Sequence, residues 1–283
     1  MPPRRFHQRL KTNSIKLSSP ATREFWEIPV LFEDEHLLAL DKPARLLTSP
    51  DRFDPARPNL MQLLHAGIEA GKPWVREHNL AYLSNAHRLD SDTSGVLLLA
   101  KNKPALVALA DLFGSEKPVK KYHALVRGTP VEEKFEVDAP LSTHPLKLGL
   151  MRVDQQTGKQ SKTRFEVLED FPRHGYALLQ CEPLTTRLHQ IRVHLRHAGL
   201  PVVGDEPYGG KFLWLSRLKQ DYRLKPGREE RPLISRIALH ASELSLPHPV
   251  TKETVTIKSE LPKDFKVALK YLRLYSGNAP VAG

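Results

Sequence analysis

The residues best suited to chemistry cluster in His87-Arg88-Leu89-Asp90-Ser91-Asp92-Thr93-Ser94-Gly95, which runs straight into the apolar stretch Val96-Leu97-Leu98-Leu99-Ala100. Charged, hydroxyl and glycine residues delivered onto a run of strand length place a polar site on the edge of a rigid core. Asp90 follows His87 by three positions and precedes a Thr-Ser-Gly turn. A carboxylate so placed serves as nucleophile or base when a cation faces it and nearby hydroxyls orient it. The same pattern also describes a turn aspartate bonded to its own backbone through Thr93 and Ser94, and local sequence alone favours that reading.

A second cluster lies in Arg187-Leu188-His189-Gln190-Ile191-Arg192-Val193-His194-Leu195-Arg196-His197-Ala198-Gly199, whose apolar Leu188, Ile191 and Leu195 predict one helix stopped by Gly199. His189, Arg192 and Arg196 form an adjacent stripe that holds phosphate or pairs with a carboxylate, since the planar arginine fork binds oxyanions at two points. A solvated helix face is the competing reading. His194 and His197 stand three apart, but no His-Glu-x-x-His spacing occurs and no metal site is expected.

The elements that must position these clusters follow from local pattern. Val30-Leu31-Phe32 and Leu37-Leu38-Ala39-Leu40, around a polar connection, predict a hairpin that Pro43 ends. Residues 59 to 70 predict a helix with Asn59 as N-cap and Gly71 as stop, and Pro104 to Phe113 a second. Strands are expected at 120–126, 165–168, 176–179, 237–246 and 254–257, and a closing amphipathic helix around Phe265, Ala268, Leu269 and Leu272. Residues 140 to 162 read as turn-rich, and 207 to 232 as a basic insertion with little regular sheet. Strands in runs with helices interspersed imply an α+β fold, a mixed and mainly antiparallel sheet with flanking helices. Neither a GxGxxG loop nor a Walker loop is present.

A formal net charge of +11 over 283 residues favours a polyanionic partner such as nucleic acid. No apolar run reaches the roughly 18 residues of a membrane span, so no membrane partner is expected. The single cysteine, Cys181, rules out an intrachain disulfide and suits a reducing compartment, with the cytoplasm as the default. Residues 1 to 28 carry Arg4, Arg5, Arg9, Lys11, Lys16 and Arg23 with no acid before Glu24, and read as a flexible basic arm ahead of one domain over 29–283. A monomer is expected.

His87-Arg88-Leu89-Asp90-x-x-Thr93-Ser94-Gly95 resembles the signature of the pseudouridine synthases of the RluA branch. The likeness extends through Asp41-Lys42-Pro43, Lys121-Tyr122-x-Ala124, His189-Gln190-Ile191-Arg192-Val193-His194 with Gly204-Asp205, and Leu239-His240-Ala241 with His248-Pro249. It departs at Thr185-Thr186-Arg187-Leu188-His189, where the family has Thr-Gly-Arg-Thr-His. The resemblance implies the pseudouridine synthase fold with a central active-site cleft, and isomerisation of uridine in ribosomal or transfer RNA without cofactor or metal. It implies Asp90 as the essential carboxylate, Tyr122 against the target base and Arg192 as the cation paired with Asp90. Arg88 is expected to enter the RNA as the uridine swings out, with His87, Thr93, Ser94, His189 and Gln190 as further substrate-binding positions. Many relatives carry an S4 RNA-binding domain in front; the 29 residues ahead of Val30 are too few for one, so RNA binding is expected to rest on the catalytic domain, the arm and the insertion. The competing function is a non-catalytic RNA-binding or ribosome-assembly factor on the same fold.

Overall fold

The computed structural model describes residues 14–51 and 54–276. It opens with the hairpin β1 (Ser14–Ser19) and β2 (Glu24–Glu33), followed by β3 (Leu37–Lys42). Helices α1 (Leu60–Glu69) and α2 (Pro73–Glu77) precede β4 (Ser84–Asn85), β5 (Ser94–Ala100) and α3 (Lys103–Gly114). Next come β6 (Val119–Arg127), β7 (Lys134–Asp138), a small hairpin of β8 (Leu141–Thr143) and β9 (Met151–Val153), and the long pair β10 (Lys162–Phe171) and β11 (Tyr176–Pro183). Helix α4 (Gln190–His197), a 3-10 turn (Glu206–Tyr208) and the short α5 (Leu215–Leu218) lead to β12 (Leu239–Pro247), β13 (Thr254–Lys258) and α6 (Lys263–Tyr275).

Among the described residues, eleven strands share one sheet in the order β1-β2-β3-β5-β12-β6-β11-β10-β7, with β4 also on β5 and β13 also on β12. The pair β5 and β12 runs parallel and the other pairings are antiparallel. The expected mixed, mainly antiparallel α+β architecture is therefore present. The parallel pair has a functional consequence. With His240 beside Ser94 and Ala241 beside Gly95, the turn that enters β5 and the segment that enters β12 arrive at the same end of the sheet.

β5 carries the apolar run Val96–Ala100 because all seven of its residues are buried, with both faces covered. Leu97 and Leu99 join the core that holds α1, while Val96, Leu98 and Ala100 join the one beneath α3. Asn59 and Asn102 cap those helices, accepting from Gln62 N at 3.0 Å and Ala105 N at 2.9 Å. A third and larger core joins β6, β10 and β11 to α4 and α6. At the entry to β5, Gly95 has φ +111°, and a Cβ there would collide with the backbone of Ala241 on β12, so the parallel strand approaches this closely only over glycine.

Three expectations change. The stretch read as a flexible arm holds β1 and the start of β2 over residues 14–28: Ile15, Leu17 and Ile28 are buried in the α1 core, and this alternation outweighs the basic composition. Residues 1–13 lie outside the described residues. Helix α4 begins at Gln190 rather than Arg187, because His189 adopts a left-handed conformation with φ 54°. The turn-rich region 140–162 contains the β8–β9 hairpin, whose Met151 and Val153 pack beside Val193 and Tyr208. No helix among the described residues is long and apolar enough to cross a membrane.

Candidate active site

Asp90 occupies the turn into β5, where its main-chain oxygen accepts from Thr93 N at 3.1 Å. The turn reading of the local sequence thus holds for the backbone. The side chain is directed elsewhere: Arg192 Nη1, on the first turn of α4, donates to Asp90 Oδ2 at 3.3 Å. Arg192 also grips Asp205 with both ends of its fork, Nε to Oδ2 at 2.8 Å and Nη2 to Oδ1 at 2.8 Å. The Asp205 side chain is wholly buried and that of Arg192 only 6% exposed, whereas Asp90 keeps 27% of its side chain open. A buried carboxylate bound at two points is the firm partner of the guanidinium, and Asp90 takes its remaining face. The guanidinium also lies 4.8 Å from the centre of the Tyr208 ring. Despite burial, which opposes its charge, the two carboxylates raise the Arg192 pKa further above its ordinary value.

The Asp90 turn is clamped from below by residues 41–48. The Lys42 side chain is completely buried, and its Nζ donates to Pro43 O at 2.8 Å, Leu46 O at 2.6 Å and Ser91 O at 3.1 Å. Burial pulls its pKa down to about 7, against the opposing pull of Asp90 and Asp92. Thr48 Oγ1 donates to Leu89 O at 2.9 Å and accepts from Leu89 N at 3.2 Å, fixing the residue before Asp90.

A cavity of about 360 Å³ opens on this cluster. Asp90, Asp92, His189 and Arg192 line it together with Glu206, Pro207 and Phe212 after α4, and with Ser235, Arg236 and Ile237 ahead of β12. Arg236 is held by Asp264 at the start of α6, Nε to Oδ2 at 2.7 Å and Nη2 to Oδ1 at 3.0 Å.

The other sequence candidates divide by where their polar atoms point. Tyr122 on β6 packs between the two largest cores rather than among the cavity-lining residues, and burial, aided by the charge of Asp90, pushes its hydroxyl pKa well above that of an ordinary phenol. Arg88 is exposed beside Asp90. His189 faces the cavity, its Nε2 3.7 Å from Asp90 Oδ2. Four further expected substrate positions make contacts inside the fold. His87 stacks on Phe113 at 4.7 Å and accepts from Leu98 N at 3.0 Å. Burial, with the charge of Lys120, drops its pKa to about 3, so it stays a neutral acceptor. Ser94 Oγ is bonded to His240 Nδ1 at 2.9 Å and Thr93 is buried. Gln190 Nε2 donates to Lys162 O and Thr163 Oγ1, both at 3.0 Å.

Asp205, Tyr208, Lys42, Phe212 and Arg236 were not named as site residues from sequence. Gly204-Asp205 and Asp41-Lys42-Pro43 belong to the motif stretches, the sequence signal that points to two of them. The departure in the third motif is also accounted for locally. Thr186 N donates to Glu116 Oε1 at 3.0 Å and Thr186 Oγ1 accepts from Lys120 Nζ at 2.6 Å, so side chains around the end of α3 and the start of β6 anchor the loop that leads to His189.

Comparison with known proteins bears on the family and the fold. A family model described as RNA pseudouridylate synthase matches residues 36–197. The chain is similar to the protein named ribosomal large subunit pseudouridine synthase C from Escherichia coli strain K12, with 36% identity over 247 residues, covering 86% of this chain and 70% of the relative. It is similar to ribosomal large subunit pseudouridine synthase D from Zymomonas mobilis, with 32% identity over 272 residues, covering 94% of this chain and 80% of the relative. The fold matches the solved human RNA pseudouridylate synthase domain containing 4 with a TM-score of 0.62 at 24% identity, covering 86% of this chain and 92% of that one.

Proposed function

Because the chain belongs to the RNA pseudouridylate synthase family, and is thus an isomerase acting on RNA, we propose that it converts specific uridines of ribosomal RNA to pseudouridine through Asp90. The observation that carries this reading is the Asp90 carboxylate, part-exposed at a cavity and faced by a guanidinium that a second, buried carboxylate holds in place. The names of the relatives, which specify the large ribosomal subunit, favour ribosomal over transfer RNA as substrate.

In this reading the uridine leaves its stack to enter the cavity, a step that costs a few kcal/mol and that contacts to the flipped nucleotide offset. Exposed Arg88 takes the space the base vacates, and Tyr122, neutral and half-buried behind Asp90, supports the base. Arg192 orients the carboxylate and balances its charge without enclosing it. The net charge of +11 draws in the RNA backbone. The protein acts as a monomer in the cytoplasm.

The test is Asp90→Asn on ribosomal RNA lacking the modification. Pseudouridine formation is expected to fall by roughly 10⁴-fold, the scale on which loss of one member of a catalytic unit acts, while the melting temperature stays close to wild type. An Asp90→Asn protein with wild-type turnover would sink the role of Asp90, whereas a wild-type protein that forms no pseudouridine would leave the non-catalytic assembly factor as the better reading.

A further inference from the structure

The polar atoms around His189 form a directed chain. Met151 N donates to Tyr208 Oη at 2.9 Å, and Tyr208 Oη lies 2.9 Å from His189 Nδ1. A phenol oxygen that accepts the amide proton still has its own proton to give, and Nδ1 is the ring nitrogen within reach. When that proton goes to Nδ1, the imidazole proton resides on Nε2. That nitrogen is 3.7 Å from Asp90 Oδ2 on a residue that lines the cavity. The ring itself is held in place. Tyr208 meets it edge-on, with centres 5.7 Å apart and planes at 80°. Its backbone, at φ 54° and ψ 19°, holds the left-handed conformation that is uncommon outside glycine. Burial lowers the imidazole pKa, against the pull of Asp90, which favours the neutral ring.

Turning uridine into pseudouridine breaks the N1–C1′ bond with the electron pair leaving on the base. The departing uracil is therefore an anion whose charge is shared by N1 and the carbonyl oxygens. C5 then bonds to C1′ and loses its proton while N1 gains one, so the product is an isomer. We propose that His189 is a further catalytic residue of this reaction: its Nε2–H donates a hydrogen bond to a uracil oxygen as the base departs from C1′. No proton is transferred in that contact. A fixed donor aimed where charge develops stabilises the transition state more than the ground state, and a neutral imidazole serves this purpose without pairing with the nearby carboxylate. The inference rests on the pseudouridine synthase reading.

The leaving-group dependence of the rate tests it. Ribosomal RNA transcripts made with uridine or with 5-fluorouridine are incubated with wild type, His189→Ala and His189→Asn under single-turnover conditions. Consumption of the target nucleoside is followed by mass spectrometry of nuclease digests. Asparagine tolerates the left-handed backbone, so His189→Asn separates lost chemistry from lost folding. Fluorine stabilises the departing anion and makes the donor less necessary. Both variants are expected to slow the uridine reaction by roughly 10²-fold and the fluorouridine reaction by markedly less, with RNA affinity unchanged. Nitrogen NMR of the free protein is expected to show the neutral Nε2–H tautomer, with Tyr208→Phe mixing in the other form.

Equal losses on the two substrates, unchanged turnover, or an Nδ1–H tautomer in wild type would each overturn the inference while leaving the parent reading in place. A wild-type protein that consumes no uridine in ribosomal or transfer RNA overturns both.

Discussion

Two buried arginines border the same cavity, and they do different work. Arg192 and Arg236 each have 6% of the side chain exposed, and each binds one carboxylate through Nε and Nη2. The difference lies in Nη1. In Arg192 it points at the side chain of Asp90. In Arg236 it points at main-chain oxygens, those of Asp92 at 3.4 Å, Ile237 at 3.1 Å and Leu239 at 3.3 Å. Arg236 thus ties the Asp90 turn to the entry of β12 and the start of α6. Arg192 keeps one donor for a charged group that opens on the cavity. Counting donors separates two cations that burial and charge alone leave alike.

Breaking the pair on each side should reproduce that division. The largest effect is expected for Arg192→Met, with turnover reduced by about 10³-fold and stability by about 3–5 kcal/mol, because Asp205 is left buried without a cation. Adding Asp205→Leu should restore most of the stability and none of the turnover. Denaturant unfolding read beside pseudouridine yield checks both halves, and a double variant that regained activity would show Arg192 to be structural after all.

Arg236→Met is expected to cost less, about 2–3 kcal/mol, since Asp264 is 34% exposed and regains water when its partner goes. Turnover per folded molecule should stay within about tenfold of wild type, the mark of a scaffold rather than a catalytic contact. Activity lost without a drop in unfolding midpoint would reverse the comparison.

Lys42, a third buried cation, extends it with a smaller effect. Its bonds go to three carbonyl oxygens, and its pKa falls to about 7 on burial. An unfolded chain keeps a lysine charged up to about pH 10.4, so between these values the unfolded state binds more protons than the folded one. The lysine's contribution to stability is therefore least favourable below pH 7 and improves as pH rises through that window. In Lys42→Met, the rise of the unfolding midpoint from pH 7 to 9.5 should be shallower than in wild type; an identical rise would mean that Lys42 stays charged in the fold.

Much of the scaffold was legible because its signals are local. β5 is apolar from Val96 to Ala100 because both faces are covered, and Asn59 stands where a helix needs a side-chain acceptor. β1 was hidden for the converse reason: Ile15 and Leu17 alternate toward the core, but the arginines and lysines around them dominated the composition. The apolar spacing starts α4 three residues early because it carries no sign that His189 turns left-handed.

For the site, the resemblance of short motifs named Asp90, Tyr122 and Arg192, and the structure brings Arg192 to Asp90 from 102 positions away. His87, Ser94 and Gln190 sit in equally telling stretches, and each makes hydrogen bonds inside the fold. Asp205 and Tyr208 matter through what they touch on α4 and β9.

Residue types and their spacing determined where strands and helices form and which chemistry the chain can supply, since propensity, capping and periodicity act over a few neighbours. Only the tertiary structure decided which groups are spent and which are free. Hydrogen-bond partners here lie tens to hundreds of positions apart, and each donor or acceptor satisfied inside the fold is withdrawn from the site.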